Sequence, residues 1–113
     1  MIGAIIGDIA GSRFEFNNHK SKDFELFTKD CFVTDDSIMT LAVAKAIMEA
    51  KREGELETAE DEGSYYSLVS DLTVKYMQEI GRKYPDCGFG RIFYQWVFSN
   101  SPQPYNSYGN GAA

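Results

Sequence analysis

Apolar residues recur at three- and four-residue steps in three stretches of the chain, and this period limits the folds that the chain can adopt. Such spacing places apolar side chains along one face of an α-helix. We therefore predict three amphipathic helices, over approximately residues 36–52, 64–83 and 89–99, the second of which Pro85 stops. The polar segment 49–64 is predicted to be an exposed helix end followed by a loop.

The apolar positions of these helices are the residues expected in the core. The first helix has further apolar residues beside its stripe, so we expect it to be buried on more than one side. Its stripe consists of Ile38, Leu41, Ala42, Ala46, Ile47 and Ala50, and Met39, Val43 and Met48 widen it. The stripes of the other two helices are Tyr65, Val69, Leu72, Tyr76 and Ile80, and Ile92, Phe93, Trp96 and Val97.

The apolar N-terminal segment, residues 2–11, is compatible with either a strand or a helix. Gly3, Gly7 and Gly11 recur every four residues, which would place them on one helical face and permit close helix packing. We therefore predict a helix, and an all-α fold for the chain. The segment lacks a basic leader and contains Asp8, unlike a signal peptide, and no apolar run is long enough to span a membrane, so a cytoplasmic location is expected.

The composition is that of one small globular domain. The chain has 113 residues, of which 43% are hydrophobic, and its net charge is −6. This charge argues against a nucleic-acid scaffold, because phosphate backbones require clustered Lys and Arg, and it suits a protein that binds a cation or a small ligand. Cys31 and Cys87 are far apart and form no zinc pattern, which favours two buried reduced thiols over a disulfide.

Thr34, Asp35 and Asp36 interrupt an apolar run at the start of the first predicted helix. Adjacent carboxylates repel each other, and a bound Mg²⁺ or Mn²⁺, which takes oxygen ligands in octahedral geometry, would offset that repulsion. The alternative is helix capping, in which the acidic residues stabilise the helix start without any metal. Three oxygen-bearing residues cannot complete an octahedron, so further ligands must come from elsewhere.

Two other segments carry candidate functional groups. Glu15 lies between two phenylalanines, which would raise its pKa and suit it to proton transfer if they desolvate it; the alternative is a surface carboxylate whose aromatic neighbours point inward. The segment NSYGNG, residues 106–111, has small residues whose backbone N–H groups can approach a phosphate, although a plain turn has the same composition.

Four motifs in order carry a resemblance to a known family. GAIIGDIAGSRFEF, FVTDDSIMTLAVA, GRKYPDCGFG and PYNSYGNGAA together resemble the N-terminal part of the ADP-ribosylglycohydrolase family, which includes the dinitrogenase-reductase-activating glycohydrolases. The resemblance runs over residues 1–113. It implies an all-α fold, a centre of two Mg²⁺ ions with Mn²⁺ in some members, and hydrolysis of the glycosidic bond that links ADP-ribose to a protein side chain or small acceptor.

The resemblance also implies a role for individual residues. Thr34, Asp35 and Asp36 match the first metal-ligand motif of the family, and Glu15 matches the acidic residue near the ribose and the metals, a candidate catalytic carboxylate. Asp8, in the Gly-Asp pair, is implied to be structural and hydrogen-bonded internally. The loop that binds the diphosphate is matched by Ser107, Tyr108, Gly109, Asn110 and Gly111.

One part of the family pattern is missing. Family members are longer and carry a second metal-ligand motif, Asp-x-Asp-Ser/Thr, near their C-terminus, and no such motif follows Asp36 in this sequence. We therefore expect residues 1–113 to be a single partial domain, a truncated N-terminal part of the family fold, with little activity alone. It would then act with a complementing C-terminal fragment on ADP-ribose or an ADP-ribosylated substrate. The alternative is a non-catalytic remnant that binds a ligand or partner or forms a homo-oligomer.

Overall fold

Four α-helices make up the regular structure of the chain in a computed structural model that describes residues 1–56 and 62–107. They are α1 (Ile2–Gly11), α2 (Asp35–Leu56), α3 (Glu62–Gly81) and α4 (Arg91–Phe98), and a short 3₁₀ turn, Ser12–Phe14, follows α1. The described residues contain no strand, which confirms the all-α prediction, including a helix rather than a strand at the N-terminus.

The core lies between α2 and α3. The stripe of small residues on α2, formed by Ala42, Ala46 and Ala50, is fully buried and lets the larger side chains of α3 approach closely. Leu72 and Tyr76 of α3 are buried against it, as the apolar period predicted. The remaining members of the α3 stripe, Tyr65, Val69 and Ile80, are partly buried against the same cluster.

The prediction that α2 is buried on more than one side is confirmed only in part, because α3 and α1 both contact the helix but some of its predicted apolar residues are exposed. Leu41 is 48% exposed, Ile47 40% and Met48 73%. The helices that contact α2 are α3, along the alanine stripe, and α1. The apolar period identified which residues share a face of the helix, but which of those residues are buried depends on the neighbouring elements.

The junction between α3 and α4 depends on close packing. A Cβ atom added to Gly81 would lie 3.0 Å from a methyl carbon of Val97, which is fully buried. Gln78 of α3 and Arg82, which directly follows α3, donate hydrogen bonds to the carbonyl groups at the end of α4, including that of Ser99. They thereby satisfy groups that a helix end leaves without partners. In contrast to the prediction, Ile92 of α4 is 55% exposed.

Two further expectations for the N-terminal half and the thiols need correction. Apart from chain neighbours and the backbone of α1 itself, no described atom lies within 4 Å of a Cβ added at Gly3, Gly7 or Gly11. The close helix packing expected there is therefore absent from the described chain. Cys31 and Cys87 are free, as predicted, but half-buried instead of buried. Among the described residues, no helix has both the length and the apolar character needed to cross a membrane.

Candidate functional site

An open cleft of about 820 Å³ lies where α1 and the 3₁₀ turn meet the start of α2. It brings together residues that the sequence separates by about twenty positions. Gly7 and Gly11 of α1 line one part of it, and Met39 and Val43 of α2 contribute an apolar part. Its polar lining includes Asp8, Glu15, Thr34, Asp35 and Asp36.

The start of α2 is held by the Asp8 side chain of α1. One oxygen of Asp8, Oδ2, accepts hydrogen bonds from the backbone N–H groups of Thr34 and Ser37, both at 3.2 Å, and from the Ser37 hydroxyl at 2.5 Å. The other oxygen, Oδ1, accepts a hydrogen bond from the Thr34 hydroxyl. Asp8 is therefore hydrogen-bonded internally, as the resemblance implied, and it satisfies N–H groups that a helix start leaves unpaired.

The side chains of Thr34 and Asp8 both accept hydrogen bonds from backbone N–H groups at the start of α2. Thr34 directly precedes the helix, and its hydroxyl accepts a hydrogen bond from the Asp36 N–H at 3.3 Å. Asp35 and Asp36 lie in the first helical turn. Their negative charge suits a helix N-terminus, but no described Lys, Arg or His forms an ion pair with either of them.

Asp35 is in an environment that disfavours its ionised form. Burial is the largest cause and raises the pKa of this carboxyl group. The negative charges of Asp36 and Asp8 raise the pKa further, whereas backbone hydrogen bonds lower it. This is the electrostatic situation that a bound cation would relieve. It arises from the geometry of the cleft as well as from adjacency in the sequence, since Asp8 belongs to another helix.

The Asp35→Asn substitution is expected to raise the Tm of the metal-free chain near neutral pH. A raised pKa means that the folded chain binds this proton more tightly than the unfolded chain, so stability is lost as the pH rises through the pKa of Asp35. Asparagine carries no charge and removes that loss. The Tm difference should shrink as the pH falls below the pKa of the unfolded-state carboxyl group.

Thermal melts at several pH values, in buffer treated with a chelator, measure this effect. Asp71→Asn, on an exposed position of α3, is the matched control and is expected to leave the Tm unchanged. A lower Tm for Asp35→Asn than for the unsubstituted chain at neutral pH would contradict the prediction.

Glu15 follows the 3₁₀ turn and lines the cleft, but it is not desolvated by its aromatic neighbours. Its side chain is exposed, and Phe16 is 92% exposed and does not cover it. Of the two alternatives, the described chain therefore has the surface carboxylate, although Phe16 is exposed and does not point inward. Phe14 instead packs against His19 and Phe24, with the guanidinium of Arg13 over its ring.

The predicted phosphate loop lies almost wholly outside the described residues. Tyr108, Gly109, Asn110 and Gly111 belong to the part of the chain that the structure does not describe. Ser107 is described and exposed, and it is not among the residues that line the cleft. The association of this loop with the cleft therefore stays a prediction.

Sequence reasoning assigned no role to the loop between α3 and α4, which approaches Asp35. Gly88 has a φ of +111°, a backbone conformation that favours glycine, and a Cβ atom there would lie 3.4 Å from Oδ1 of Asp35. Burial and the charge of Asp35 raise the pKa of the adjacent Cys87 thiol to about 11. The sequence did show a glycine, Gly88, in the short loop between two predicted helices, which is typical of a tight turn. Only the fold shows that this glycine faces Asp35.

The oxygen-rich lining fits part of a site for a hard cation. Thr34, Asp35 and Asp36 offer a hydroxyl and two carboxylates, the donor types that Mg²⁺ and Mn²⁺ prefer. Within residues 1–56 and 62–107, no three His, Cys, Asp or Glu side chains are grouped closely enough to hold a metal ion. The fit is therefore that of an incomplete ligand set.

Comparison of the sequence with known proteins relates the chain to a family. ADP-ribosylhydrolase ARH3 of Xenopus tropicalis is 26% identical over 138 aligned residues, which cover 100% of this chain and 35% of that protein. The chain thus spans about 35% of the length of the curated relative that it matches. No solved structure matches it. The sequence model of the ADP-ribosylglycohydrolase family matches residues 1–113, the whole sequence, and the chain therefore belongs to the ADP-ribosylglycohydrolase family.

Proposed function

We propose that this chain supplies the first half of a metal-dependent active site that hydrolyses the glycosidic bond between ADP-ribose and a protein side chain or small acceptor. The observation that carries the proposal is the cleft in which Glu15 lies with Thr34, Asp35 and Asp36. The family match over the whole sequence supports the reaction class, and the relative's name, an ADP-ribosylhydrolase, points to the same chemistry.

Thr34, Asp35 and Asp36 are the proposed metal-holding residues. Two Mg²⁺ ions, or Mn²⁺, would supply Lewis-acid stabilisation and orientation of the ribose hydroxyls and a water when bound. The raised pKa of Asp35 supports this role, because a bound cation would offset the repulsion that Asp36 and Asp8 exert on the ionised Asp35 carboxylate. Asp36 is exposed at the same helix start and is free to turn its carboxylate towards the cleft.

Glu15 is the proposed catalytic carboxylate. Cleavage at the anomeric carbon develops positive, oxocarbenium-like charge, and a carboxylate at the cleft wall assists by moving a proton to or from the reacting groups. Its exposure in the described chain leaves its carboxylate accessible to a substrate. Residues 107–111 are the proposed diphosphate-binding loop, in which the two glycines, Gly109 and Gly111, would let backbone N–H groups approach the phosphates.

The chain alone is expected to bind Mg²⁺ weakly and to show little or no hydrolase activity. One hydroxyl and two carboxylates leave most of an octahedron to water, and Mg²⁺ gives up its waters reluctantly. Isothermal titration calorimetry with Mg²⁺, with and without ADP-ribose, tests the metal site. Asp36→Asn should abolish the binding heat, while Asp71→Asn on α3 should preserve it. Equal binding heat for Asp36→Asn and the unsubstituted chain would remove the acidic doublet from the site.

A second candidate function, self-association, rests on the exposed apolar surface. Leu41 and Met48 of α2 and Ile2 and Ile6 of α1 are between 44% and 76% exposed. Such surfaces favour association when nothing covers them. We expect size-exclusion chromatography with light scattering to show a mass above that of the 12.7 kDa chain, which decreases on dilution. Leu41→Lys together with Met48→Lys should restore the monomer. A clean monomer of the unsubstituted chain at high concentration would contradict this.

A further inference from the structure

We propose that Asp8 is a positioning residue for the metal site. Its carboxylate accepts a hydrogen bond from the Thr34 hydroxyl and so turns the remaining lone pair of the hydroxyl oxygen towards a bound cation. The inference rests on the proposed function and deepens it. Asp8 lies on α1, whereas the metal-holding residues begin α2, so the two helices would build the site jointly.

The hydrogen bonds of the Thr34 hydroxyl leave one direction for a metal. A hydroxyl group has one proton and two acceptor lone pairs. The Thr34 O–H donates a hydrogen bond to Oδ1 of Asp8, and one lone pair of the hydroxyl oxygen accepts a hydrogen bond from the Asp36 N–H at 3.3 Å. One lone pair remains, on a residue that is only 4% exposed and lines the cleft. Because the other two directions are occupied, the hydroxyl cannot rotate freely to use its proton elsewhere.

The hydrogen bonds of Asp8 suit it to this indirect role better than to direct coordination. Its Oδ2 atom already accepts three hydrogen bonds from Thr34 and Ser37, and its Oδ1 atom accepts a hydrogen bond from the Thr34 hydroxyl. No described Lys, Arg or His forms an ion pair with Asp8. Its charge is instead stabilised by N–H and O–H groups at the start of α2, where a negative charge is favoured. Turning Asp8 towards a metal would break these bonds.

The Asp8→Asn substitution tests the role with little change of shape. The amide oxygen can still accept the bonds from Thr34 N–H and Ser37, but the amide nitrogen donates and cannot accept the Thr34 proton. The Thr34 hydroxyl oxygen must then accept a hydrogen bond from the amide N–H, and its own O–H must point into the cleft. In that orientation the O–H would repel a bound cation. We expect Mn²⁺ affinity, measured by the electron paramagnetic resonance signal of free Mn²⁺, to fall about 10-fold or more, the usual effect of losing an outer-shell partner.

Ser37→Ala is the matched structural control. It removes one hydrogen bond to the same carboxylate and leaves the bond between Asp8 and the Thr34 hydroxyl in place. We expect it to lower the Tm and to leave Mn²⁺ affinity within error of the unsubstituted chain. If Asp8 only stabilises the helix start, Asp8→Asn and Ser37→Ala should both lower the Tm and neither should change the affinity, and that result would overturn the inference.

A double-mutant cycle distinguishes action through Thr34 from direct action on the metal. Thr34→Val removes the hydroxyl, so adding Asp8→Asn to it should cause no further loss of Mn²⁺ affinity. Losses that multiply would show that Asp8 acts independently of Thr34 and would overturn the inference. If the unsubstituted chain binds no Mn²⁺, or Thr34→Val binds it as well as that chain does, the proposed metal site itself fails, which is a different result.

A measurement on the unsubstituted chain keeps the inference testable if Asp8→Asn does not fold. In a Mg²⁺ titration followed by ¹³C NMR, the carboxyl signals of Asp35 and Asp36 and the Cβ signal of Thr34 should shift with a common binding curve. The carboxyl signal of Asp8 should shift much less. A shift of Asp8 as large as those of Asp35 and Asp36 would make Asp8 a direct ligand and overturn the positioning role.

Discussion

Replacing Glu15 with Gln in a complete member of the family is expected to lower kcat by about 10²- to 10⁴-fold, the range that a positioned general acid or base contributes. Gln has nearly the same shape but cannot exchange a proton with the reacting groups. Affinity for ADP-ribose should change little, because the metals and the phosphate loop would provide most of the binding. The effect should therefore appear in kcat and not in KM.

A matched control for this experiment lies in the same loop. Glu25 is also an exposed carboxylate near an aromatic residue, but it does not line the cleft. Glu25→Gln is expected to leave kcat unchanged. Steady-state hydrolysis of an ADP-ribosylated substrate, together with calorimetry of ADP-ribose binding, measures both parameters. Unchanged turnover in the variant at the Glu15 position would remove that residue from the mechanism.

Placing a charge at Ala46 is expected to unfold the chain. Ala46 is fully buried between α2 and α3, and the described core cluster around it is apolar apart from the Tyr76 hydroxyl. An unpaired carboxylate buried there costs several kcal/mol, and a domain of this size is stabilised by only about 5–15 kcal/mol. For Ala46→Asp, we expect a largely lost helical signal in circular dichroism at room temperature.

Met48→Asp is the control on the same helix. Met48 is 73% exposed, so a charge at this position stays in water and should change the free energy of unfolding by about 0.5 kcal/mol or less. Urea titrations of both variants give the comparison. If Ala46→Asp retained a cooperative transition at the urea concentration of the unsubstituted chain, the α2–α3 interface described here would not be the core of the protein in solution.

The helices could be predicted from the sequence because their signals are local. The apolar period located α2, α3 and α4 to within a few residues, and Tyr76 and Leu72 are buried as their spacing required. The observed α2 extends to Leu56, farther into the polar segment than predicted, because a solvated helix end needs no apolar stripe. Residues 57–61 lie outside the described part of the chain.

The grouping of the site was only partly predictable. Adjacency placed Thr34 with Asp35 and Asp36, and the order of the motifs associated them with Glu15, which does line the same cleft. Local sequence could not reveal that Glu15 stays exposed, because exposure depends on which way Phe14 and Phe16 turn. It also could not show that Gly88 approaches Asp35, because the two residues are brought together only by the packing of α3 against α2.

By itself the sequence determined where the helices form, which adjacent residues carry oxygen-bearing side chains and which family the chain resembles, because each of these depends on neighbours along the chain. The tertiary structure decided which groups of different helices meet. It brought the Asp8 carboxylate within hydrogen-bonding distance of the Thr34 hydroxyl and close enough to Asp35 that its charge raises the pKa of Asp35. It also left Leu41 and Met48 of α2 exposed. These outcomes depend on distances between atoms that are far apart in the chain, and periodicity contains no information about such distances.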